Sequence, residues 1–576
     1  MSSPIGSFTF VLHAHLPYVL SHGRWPHGTD WLNEAASETY IPLLDVLYDL
    51  VDEGLSPRLT MGITPVLSEQ MAHPAFRTEL DAYLQSKLQA AVQDQRAFRR
   101  SGERRKADLA RMWEQYYTRI GDHFHERYGG DLVAAFRRLQ DQGHIEIITC
   151  AATHGYLPLL SRDVSVQAQI KQAVAAHTRH YGRPPRGMWL PECAYRPRYE
   201  WAPPVASSVG SVLRKGVEEF LSENGIEYFI IDSAMLRGGR AIGAYLARFE
   251  GLKQLWERFA SEYTERAMDV EKTPREVYLV HSSPSQRAPV AVLTRDPETG
   301  LQVWSGEHGY PGDGWYLDFH KKHFPGGHCY WRVTSAKSDL ADKQEYEPER
   351  AMARVPENAD HFVGLIKREL KAYHDESGRV GLVCAPYDAE LFGHWWFEGV
   401  EFLRHVLRRI ASDPEIELTT GSRFIAHTPP AHVISLPEGS WGEGGYHYIW
   451  LNERTEWTWK HIYEDEARMQ ELARTFGSTS DPKLMDILRQ AGRELLLLQA
   501  SDWQFLISTW SARDYAELRL VEHHESFQRL AKMAQRYGEG GKLDPGEWHF
   551  LEACKQRDQI FEDIDVRWFA EVEVPG

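Results

Sequence analysis

The sequence predicts an α/β fold in which buried parallel strands alternate with helices to form a closed or nearly closed barrel. Two observations support this prediction. Short apolar runs recur along the first 420 residues, and helical patterns lie between most of them. Short apolar runs separated by helices are typical of parallel βαβ units. After about residue 420 the strand pattern gives way to long helical patterns, which indicates a second, helical region.

Seven runs have the length and composition of buried strands. In chain order they are FTFVL (8–12), RLTMGI (58–63), IEIITC (145–150), GMWL (187–190), EYFIID (227–232), LQVWS (301–305) and VGLVCA (380–385). Helical candidates such as YIPLLDVLYDLVDEG and DHFVGLIKRELKAYHDE separate them. Seven strands over about 400 residues suit one α/β barrel with insertions.

Three stretches interrupt the alternation. A Lys-, Arg-, Gln- and Ala-rich stretch with helical periodicity predicts a helical insertion, RGGRAIGAYLARFEG predicts a glycine-rich loop, and residues 275–304 predict hairpins before the sixth strand. The Pro/Gly-rich segment HTPPAHVISLPEGSWGEGGYHY then connects to the helical region. The expected division is a barrel over 1–80 and 136–420, an insertion over 81–135 and a helical domain over 421–576.

The bulk composition narrows the function classes. A net charge of -17 argues against a polyanionic partner, since nucleic-acid binders usually carry a basic face. The 19 Trp and 26 Tyr suit a surface that stacks on ring-shaped ligands, although a core could also use them. Five scattered Cys without a CxxC pair indicate a reduced protein. The amino terminus lacks a signal-peptide pattern, so a cytoplasmic location is expected.

Polar side chains follow several predicted strands, at the strand ends where active sites lie in such barrels. They are His13, His15, Thr153, His154, Glu192, Trp304 and Asp388. His13 and His15 are two residues apart and therefore point to one face. Each residue also has a plain alternative, such as a core histidine, a solvated Glu192 or an N-cap role for Asp388. Those alternatives do not account for the shared location.

Two chemistries suit this set of residues. In a retaining glycosidase, two carboxylates about 5–5.5 Å apart act as nucleophile and acid/base, and Glu192 and Asp388 are the candidates. Alternatively, His13, His15 and either His154 or Asp388 hold a divalent metal such as zinc. The residues alone leave both chemistries open.

Five blocks in order resemble glycoside hydrolase family 57. They are HAHLPY, GHIEIITCAATHGYLPLL, GMWLPECAYRP, APYDAELFGHWWFEG and WGEGGYHYIWLNERTEWTWKHIYEDEARM. Within that family, PECAYRP, YDAELFGHWW and a helical carboxyl-terminal region are similar to the 1,4-α-glucan branching members. The resemblance implies an incomplete, TIM-like (β/α)7 barrel with a small helical insertion.

The resemblance also implies roles for individual residues. It makes Glu192 the nucleophile and Asp388 the acid/base, and it implies no metal and no cofactor. Residues expected around the sugar or along the glucan are His13, His15, His154, Trp25, Trp304, Trp441, Trp450, Asp502 and Trp503. Tyr245 is the candidate for a tyrosine near the tip of the loop after the fifth strand, a loop that is lengthened in this chain.

The implied activity is cleavage of an α-1,4-glucan, such as amylose or glycogen, and transfer of the chain to a 6-hydroxyl by a retaining double displacement. Neither a nucleic acid nor a membrane is expected as a partner. The nearest alternative is an α-glucan hydrolase or 4-α-glucanotransferase on the same scaffold. More distant alternatives are a zinc-dependent deacetylase or mannosidase, and a non-catalytic glucan-binding protein.

Overall fold

The computed structural model describes residues 4–205, 210–237, 272–281, 283, 286, 288–305, 308–335 and 337–572. Its strands are β1 Gly6–Ala14, β2 Leu59–Ile63, β3 Ile145–Ile148, β4 Gly187–Met188, β5 Tyr199–Trp201, β6 Val212–Arg214, β7 Tyr228–Ile231, β8 Tyr278–Val280, β9 Val290–Thr294, β10 Gly381–Asp388, β11 Ile416–Leu418 and β12 Val433–Ile434. β5 and β6 form a separate antiparallel pair.

Helices occupy most of the remaining described residues. The first nine are α1 Thr29–Ala35, α2 Ile41–Asp52, α3 Pro65–Ala72, α4 Pro74–Ser101, α5 Arg104–Asp122, α6 Leu132–Asp141, α7 Asp163–Tyr181, α8 Val217–Glu223 and α9 Ser233–Arg237. The next nine are α10 Pro297–Trp304, α11 Pro348–Ser377, α12 Gly399–Ser412, α13 Gly421–His427, α14 Glu456–Phe476, α15 Pro482–Leu498, α16 Asp502–Thr509, α17 Arg513–Gly538 and α18 Pro545–Arg557. Among the described helices, none combines the length and apolar character that crossing a bilayer requires.

Most of the strands belong to two sheets, and a single β-bridge on each side connects one sheet to the other. One sheet has the order β10–β1–β2–β3, with β11 also paired to β1, and the other has the order β12–β8–β9–β7–β4. A bridge from Thr149, directly after β3, to Met188 of β4 joins them at one side. A bridge from Arg295, directly after β9, to Cys384 of β10 joins them at the other. Pairing therefore runs without interruption from β1 through β2, β3, β4, β7, β9 and β10 back to β1.

The first strand is at the centre of this arrangement. All of β1 is buried, and it pairs in parallel with β2, β10 and β11. Its aromatic and β-branched residues suit a strand covered on both faces. Phe10 stacks on Phe362 of α11 with the ring centroids 6.0 Å apart. The register places His13 opposite Asp388, so two predicted site residues share one edge.

Six of the seven predicted strand regions are confirmed, but the sixth strand, expected at 301–305, is wrong. Those residues belong to α10, which begins after Asp296, whose side chain accepts a hydrogen bond from the Thr299 amide. The true strand is β9, which pairs in parallel with β7 and antiparallel with β8. A short apolar run such as LQVW fits either a strand or a helix. The Asp-Pro pair ahead of it supplies an N-cap and a proline at N1, which favour the helix.

As a consequence, Trp304 lies at the end of a helix and not at the end of a strand. The Lys- and Arg-rich stretch forms α4 and α5, which are separated at Gly102, where φ is +82°. Glycine adopts this left-handed conformation without steric cost, which explains the sharp helix end. α14 to α18 make up the helical region near the carboxyl terminus.

Candidate active site

Glu192 lies in a tight turn, Pro191–Cys193, directly beyond β4. Its backbone has φ 59° and ψ 25°, and Cys193 and His154 also have positive φ, at 48° and 61°. Non-glycine residues rarely adopt this left-handed conformation, and such strain is concentrated at functional sites. The chain therefore holds Glu192 and His154 in unusual backbone conformations at neighbouring strand ends.

The Glu192 carboxylate is held by one indole. Trp441 donates a hydrogen bond from Nε1 to Glu192 Oε2 at 2.7 Å, and its amide donates to the Glu192 carbonyl at 3.0 Å. Burial is the main cause that raises the pKa of Glu192 to about 8; the charges of Asp388 and Asp502 contribute to the rise, and the Trp441 hydrogen bond opposes it. The indole thus favours the ionised form that burial disfavours.

Asp388 ends β10 and is close enough to Glu192 for its charge to act on the Glu192 carboxyl. In the described structure its side chain does not cap the turn that follows, Ala389–Leu391. Helix α12 begins well beyond it, at Gly399. The N-cap alternative for Asp388 is therefore wrong.

Three histidines form a stack beside the carboxylates. The rings of His15 and His154 lie 3.9 Å apart with an interplanar angle of 12°, and His13 stacks on Trp189 at 4.5 Å. The Nε2 atoms of His13 and His154 are 3.2 Å apart and share a hydrogen bond. Burial, together with the neighbouring histidines, holds the pKa of both His13 and His154 well below the usual value. These two rings are neutral and can donate to or accept from hydroxyl groups.

Residues near the carboxyl terminus orient two of these rings. Both carboxylate oxygens of Asp502 lie 3.0 Å from His15 Nε2. Ser501 Oγ is 2.8 Å from His154 Nδ1, and the Ser501 amide donates to the His154 carbonyl at 3.1 Å. The hydroxyl of Thr153 donates to the Leu496 carbonyl. Sequence reasoning found Asp502 but missed Ser501, since nothing in the sequence pairs that residue with His154.

Glu390 is an acid that sequence reasoning did not include in the site. Its Oε1 accepts hydrogen bonds from the His15 amide at 3.0 Å and from the Tyr40 hydroxyl at 2.5 Å. Burial is the main cause that raises the pKa of Glu390 to about 7, and the Asp388 charge adds to it. Its position two residues after Asp388 was the available signal. Glu390 fixes the loop that carries His15.

The predicted aromatic residues fall into distinct environments. Trp25 is 71% exposed, whereas Trp304 and Trp441 are almost completely buried. Trp450 and Trp503 are fully buried: Trp450 stacks on Tyr156 at 4.6 Å, and Trp503 Nε1 donates to the Leu497 carbonyl at 2.9 Å. Both rings are covered by protein in this structure, so the contact of Trp450 and Trp503 with glucan stays a prediction. Tyr245 lies outside the described residues.

Two overlapping groups at the site bring metal-ligating atoms within 4.8 Å of one another. One consists of His13, Cys150 and His154, and the other of His15, His154 and Asp502. Imidazole and carboxylate donors suit zinc. The histidine and Asp502 atoms already pair with one another or with Ser501 by hydrogen bonds, so the arrangement also stands as a hydrogen-bonded network without an ion.

Comparison with known proteins places this geometry in context. The chain matches glycosyl hydrolase family 57 over residues 9–437, and the carboxyl-terminal region of 1,4-alpha-glucan branching enzymes over residues 461–569. It is 42% identical over 562 residues to the 1,4-alpha-glucan branching enzyme TK1436 of Thermococcus kodakarensis. The aligned region covers 97% of this chain and 78% of the relative.

Solved structures give the same result. The TK1436 structure, in complex with glucose, superposes with a TM-score of 0.89 at 40% identity and covers 99% of this chain and 98% of that one. The alpha-amylase AmyC of Thermotoga maritima superposes with a TM-score of 0.79 at 29% identity and covers 99% and 100% of the two chains. With a family match over most of its length and relatives of this similarity, the chain belongs to glycosyl hydrolase family 57.

Proposed function

We propose that the protein is a 1,4-α-glucan branching enzyme. The observation that carries the proposal is the pair of acids at the ends of β4 and β10: a buried Glu192, hydrogen-bonded by Trp441, and Asp388, whose charge acts on it. Paired carboxylates are the usual machinery for breaking a glycosidic bond with retention. The 42% identical branching enzyme and the match of residues 461–569 support branching as the outcome.

The circuit of strand pairing supports an incomplete (β/α)7 barrel as the catalytic unit. The division proposed with it is a barrel over 1–80 and 136–420, a helical insertion over 81–135 and a helical domain over 421–576. The long helices α4 and α5 support the insertion, and α14 to α18 support the helical domain. All five cysteines are free, which supports a reducing, cytoplasmic location.

The mechanism we propose is a double displacement on an α-1,4-glucan. Asp388 donates its proton to the leaving glycosidic oxygen while Glu192 attacks the anomeric carbon and forms a glycosyl ester. Asp388 then accepts a proton from the 6-hydroxyl of an acceptor chain, and that oxygen displaces Glu192. Two inversions retain the α configuration, so the new bond is an α-1,6 branch.

This cycle requires the two carboxyl groups to hold one proton between them, with the proton on Asp388 and the charge on Glu192 when the attack begins. Glu192 must be ionised to attack, yet its raised pKa of about 8 favours the protonated form at neutral pH in the substrate-free enzyme. Because Trp441 donates to Oε2, it favours the arrangement with the charge on Glu192 and the proton on Asp388. Two interacting acids titrate as a pair, and this hydrogen bond biases where the proton is held.

The histidines are proposed to hold the reacting sugar. Neutral His13 and His154 rings can donate to one hydroxyl and accept from another, and Asp502 fixes the orientation of His15 at 3.0 Å. Water excluded from this site cannot compete with the acceptor chain. The loop that contains Tyr245 is proposed to contribute to that exclusion.

Branching is tested directly by counting new α-1,6 linkages. Purified protein is incubated with linear amylose, the product is treated with a debranching enzyme, and the released chains are separated by length. The expected result is chains released by debranching from wild-type product but none from the product of Glu192→Gln, which retains the shape of the side chain. If wild-type product yields no such chains, the branching assignment is wrong.

Hydrolysis on the same scaffold is the second candidate, because the amylase AmyC is 29% identical and superposes over almost the whole chain. Water in place of the acceptor hydroxyl gives hydrolysis through the same intermediate. Counting new reducing ends and new α-1,6 linkages in the same sample separates the two activities. Hydrolysis creates reducing ends, whereas branching creates α-1,6 linkages.

A further inference from the structure

Another group of metal-ligating side chains lies far along the chain from the catalytic acids, where α14 packs beside α17. It consists of His461 and Glu464 on α14 and His524 on α17, and one donor atom from each lies within 4.8 Å of the others. His461 and Glu464 are three residues apart and therefore share one helix face. The proposed branching reaction uses none of these residues.

The two helices run side by side in the same direction at this point. Asp465 contacts His524 and Gln528, and further along Arg468 contacts Gln535, so the residue numbers rise together on both helices. The rings of His461 and His524 are 4.1 Å apart with an interplanar angle of 37°. The cluster therefore bridges two helices, and a bound ion would connect them.

A buried carboxylate already orients one of the rings. His524 donates from Nδ1 to Asp465 Oδ2 at 2.8 Å, and the Asp465 side chain is completely buried. Its other oxygen, Oδ1, accepts a hydrogen bond from Gln528 at 2.7 Å. With Nδ1 committed in this way, Nε2 is the nitrogen of His524 left to bind an ion. A carboxylate that orients a histidine from behind is the usual partner of a metal-bound imidazole.

The other two donors are also available to an ion. The His461 ring is partly buried beside the His524 ring. Within the described residues its nitrogens make no hydrogen bond, and its ring meets Trp457 edge to face at 5.8 Å. Glu464 is exposed and has a single long contact to Gln528 at 3.4 Å, so it can rotate toward the rings.

We infer that His461, Glu464 and His524 form a divalent metal site, with Zn²⁺ as the best-suited ion, that fastens α14 to α17. Two imidazoles and a carboxylate match the donor preference of zinc, and water completes the tetrahedral shell. The site is structural and separate from the chemistry of the carboxylate pair. α14 also supports the loop before it, since Trp459 Nε1 donates to the Trp450 carbonyl at 2.9 Å.

Zinc titration of chelator-stripped protein tests the inference. Zn²⁺ is added in competition with a chromophoric chelator, and both stoichiometry and affinity are measured for wild type and for the double variant His461→Ala/His524→Ala. The expected result is one more zinc equivalent bound by wild type, together with a zinc-dependent rise in Tm that the double variant lacks. His549→Ala, which removes an exposed histidine from α18, is the matched control and should behave as wild type.

Asp465→Asn separates a built site from a chance cluster. It keeps the shape of the side chain but weakens its support of the His524 ring, and we expect zinc affinity to fall by about 10- to 100-fold. The inference is overturned if wild type binds no zinc. It is also overturned if the double variant binds the same number of ions with the same affinity, because the zinc would then be held by other residues.

Discussion

Replacing Trp441 by Phe removes the hydrogen bond to Glu192 and keeps an aromatic ring in its place. A hydrogen bond to a charged group stabilises that group by about 1.5–3 kcal/mol. At about 1.4 kcal/mol for each pKa unit, its loss raises the pKa of Glu192 by roughly one to two units above the present value of about 8. The ionised fraction of Glu192 at pH 7 then falls by about 10- to 100-fold.

The assay is the initial rate of branching at subsaturating amylose, measured from about pH 5 to pH 9, since kcat/KM reports the ionisation of the free enzyme. We expect the acid limb of the Trp441→Phe profile to move toward alkaline pH by one to two units, as the carboxyl needs a higher pH to lose its proton. The deficit relative to wild type should therefore shrink as pH rises. A loss of the same size at every pH would refute the reasoning, because it would show that the ring acts by contact alone.

Trp113→Phe is the matched control for this experiment. Trp113 is as buried as Trp441, at 4% exposure, and its Nε1 also makes one hydrogen bond, to the Cys329 carbonyl at 2.8 Å. It lies on α5, and its loss should leave the pH profile in place. A similar shift in this variant would mean that general destabilisation, not the Glu192 contact, moves the profile.

Three further predictions concern the same site. Glu192→Gln should lower both transfer and hydrolysis by about 10⁴-fold while amylose binding, measured by affinity electrophoresis, persists; near-normal turnover would remove the nucleophile assignment. Asp502→Asn, which weakens the support of His15 at 3.0 Å, should reduce kcat by about 10-fold with little change in the melting temperature, and an unchanged kcat would separate Asp502 from the reaction. Tyr245→Ala should raise the ratio of new reducing ends to new α-1,6 linkages, and an unchanged ratio would exclude its part in shielding the intermediate.

The strands that the sequence predicted correctly share one physical feature. β1, β7 and β10 are covered on both faces, so their residues are continuously apolar and the run stands out from its surroundings. The run at 301–305 has a similar composition but follows Asp296, whose side chain caps a helix. Composition alone could not distinguish these cases, since the decisive hydrogen bond comes from a residue outside the run.

The same limit applies to the site. Residues that come directly after strands, such as Glu192 and His154, can be found because chain topology brings strand ends together. Ser501 could not be found in this way, since it acts through a hydrogen bond to a residue hundreds of positions away. The burial of Trp450 was equally hidden, because sequence shows that an aromatic residue is present but not which face it exposes.

The contacts of Ser501 and Asp502 have a practical consequence for protein engineering. Both residues lie in the proposed helical domain over 421–576, yet they contact His154 and His15. We therefore expect that exchanging residues 421–576 with those of a relative alters catalysis itself and not just product binding. Chimaeras should be joined so that these two residues and the histidines they hold come from the same parent.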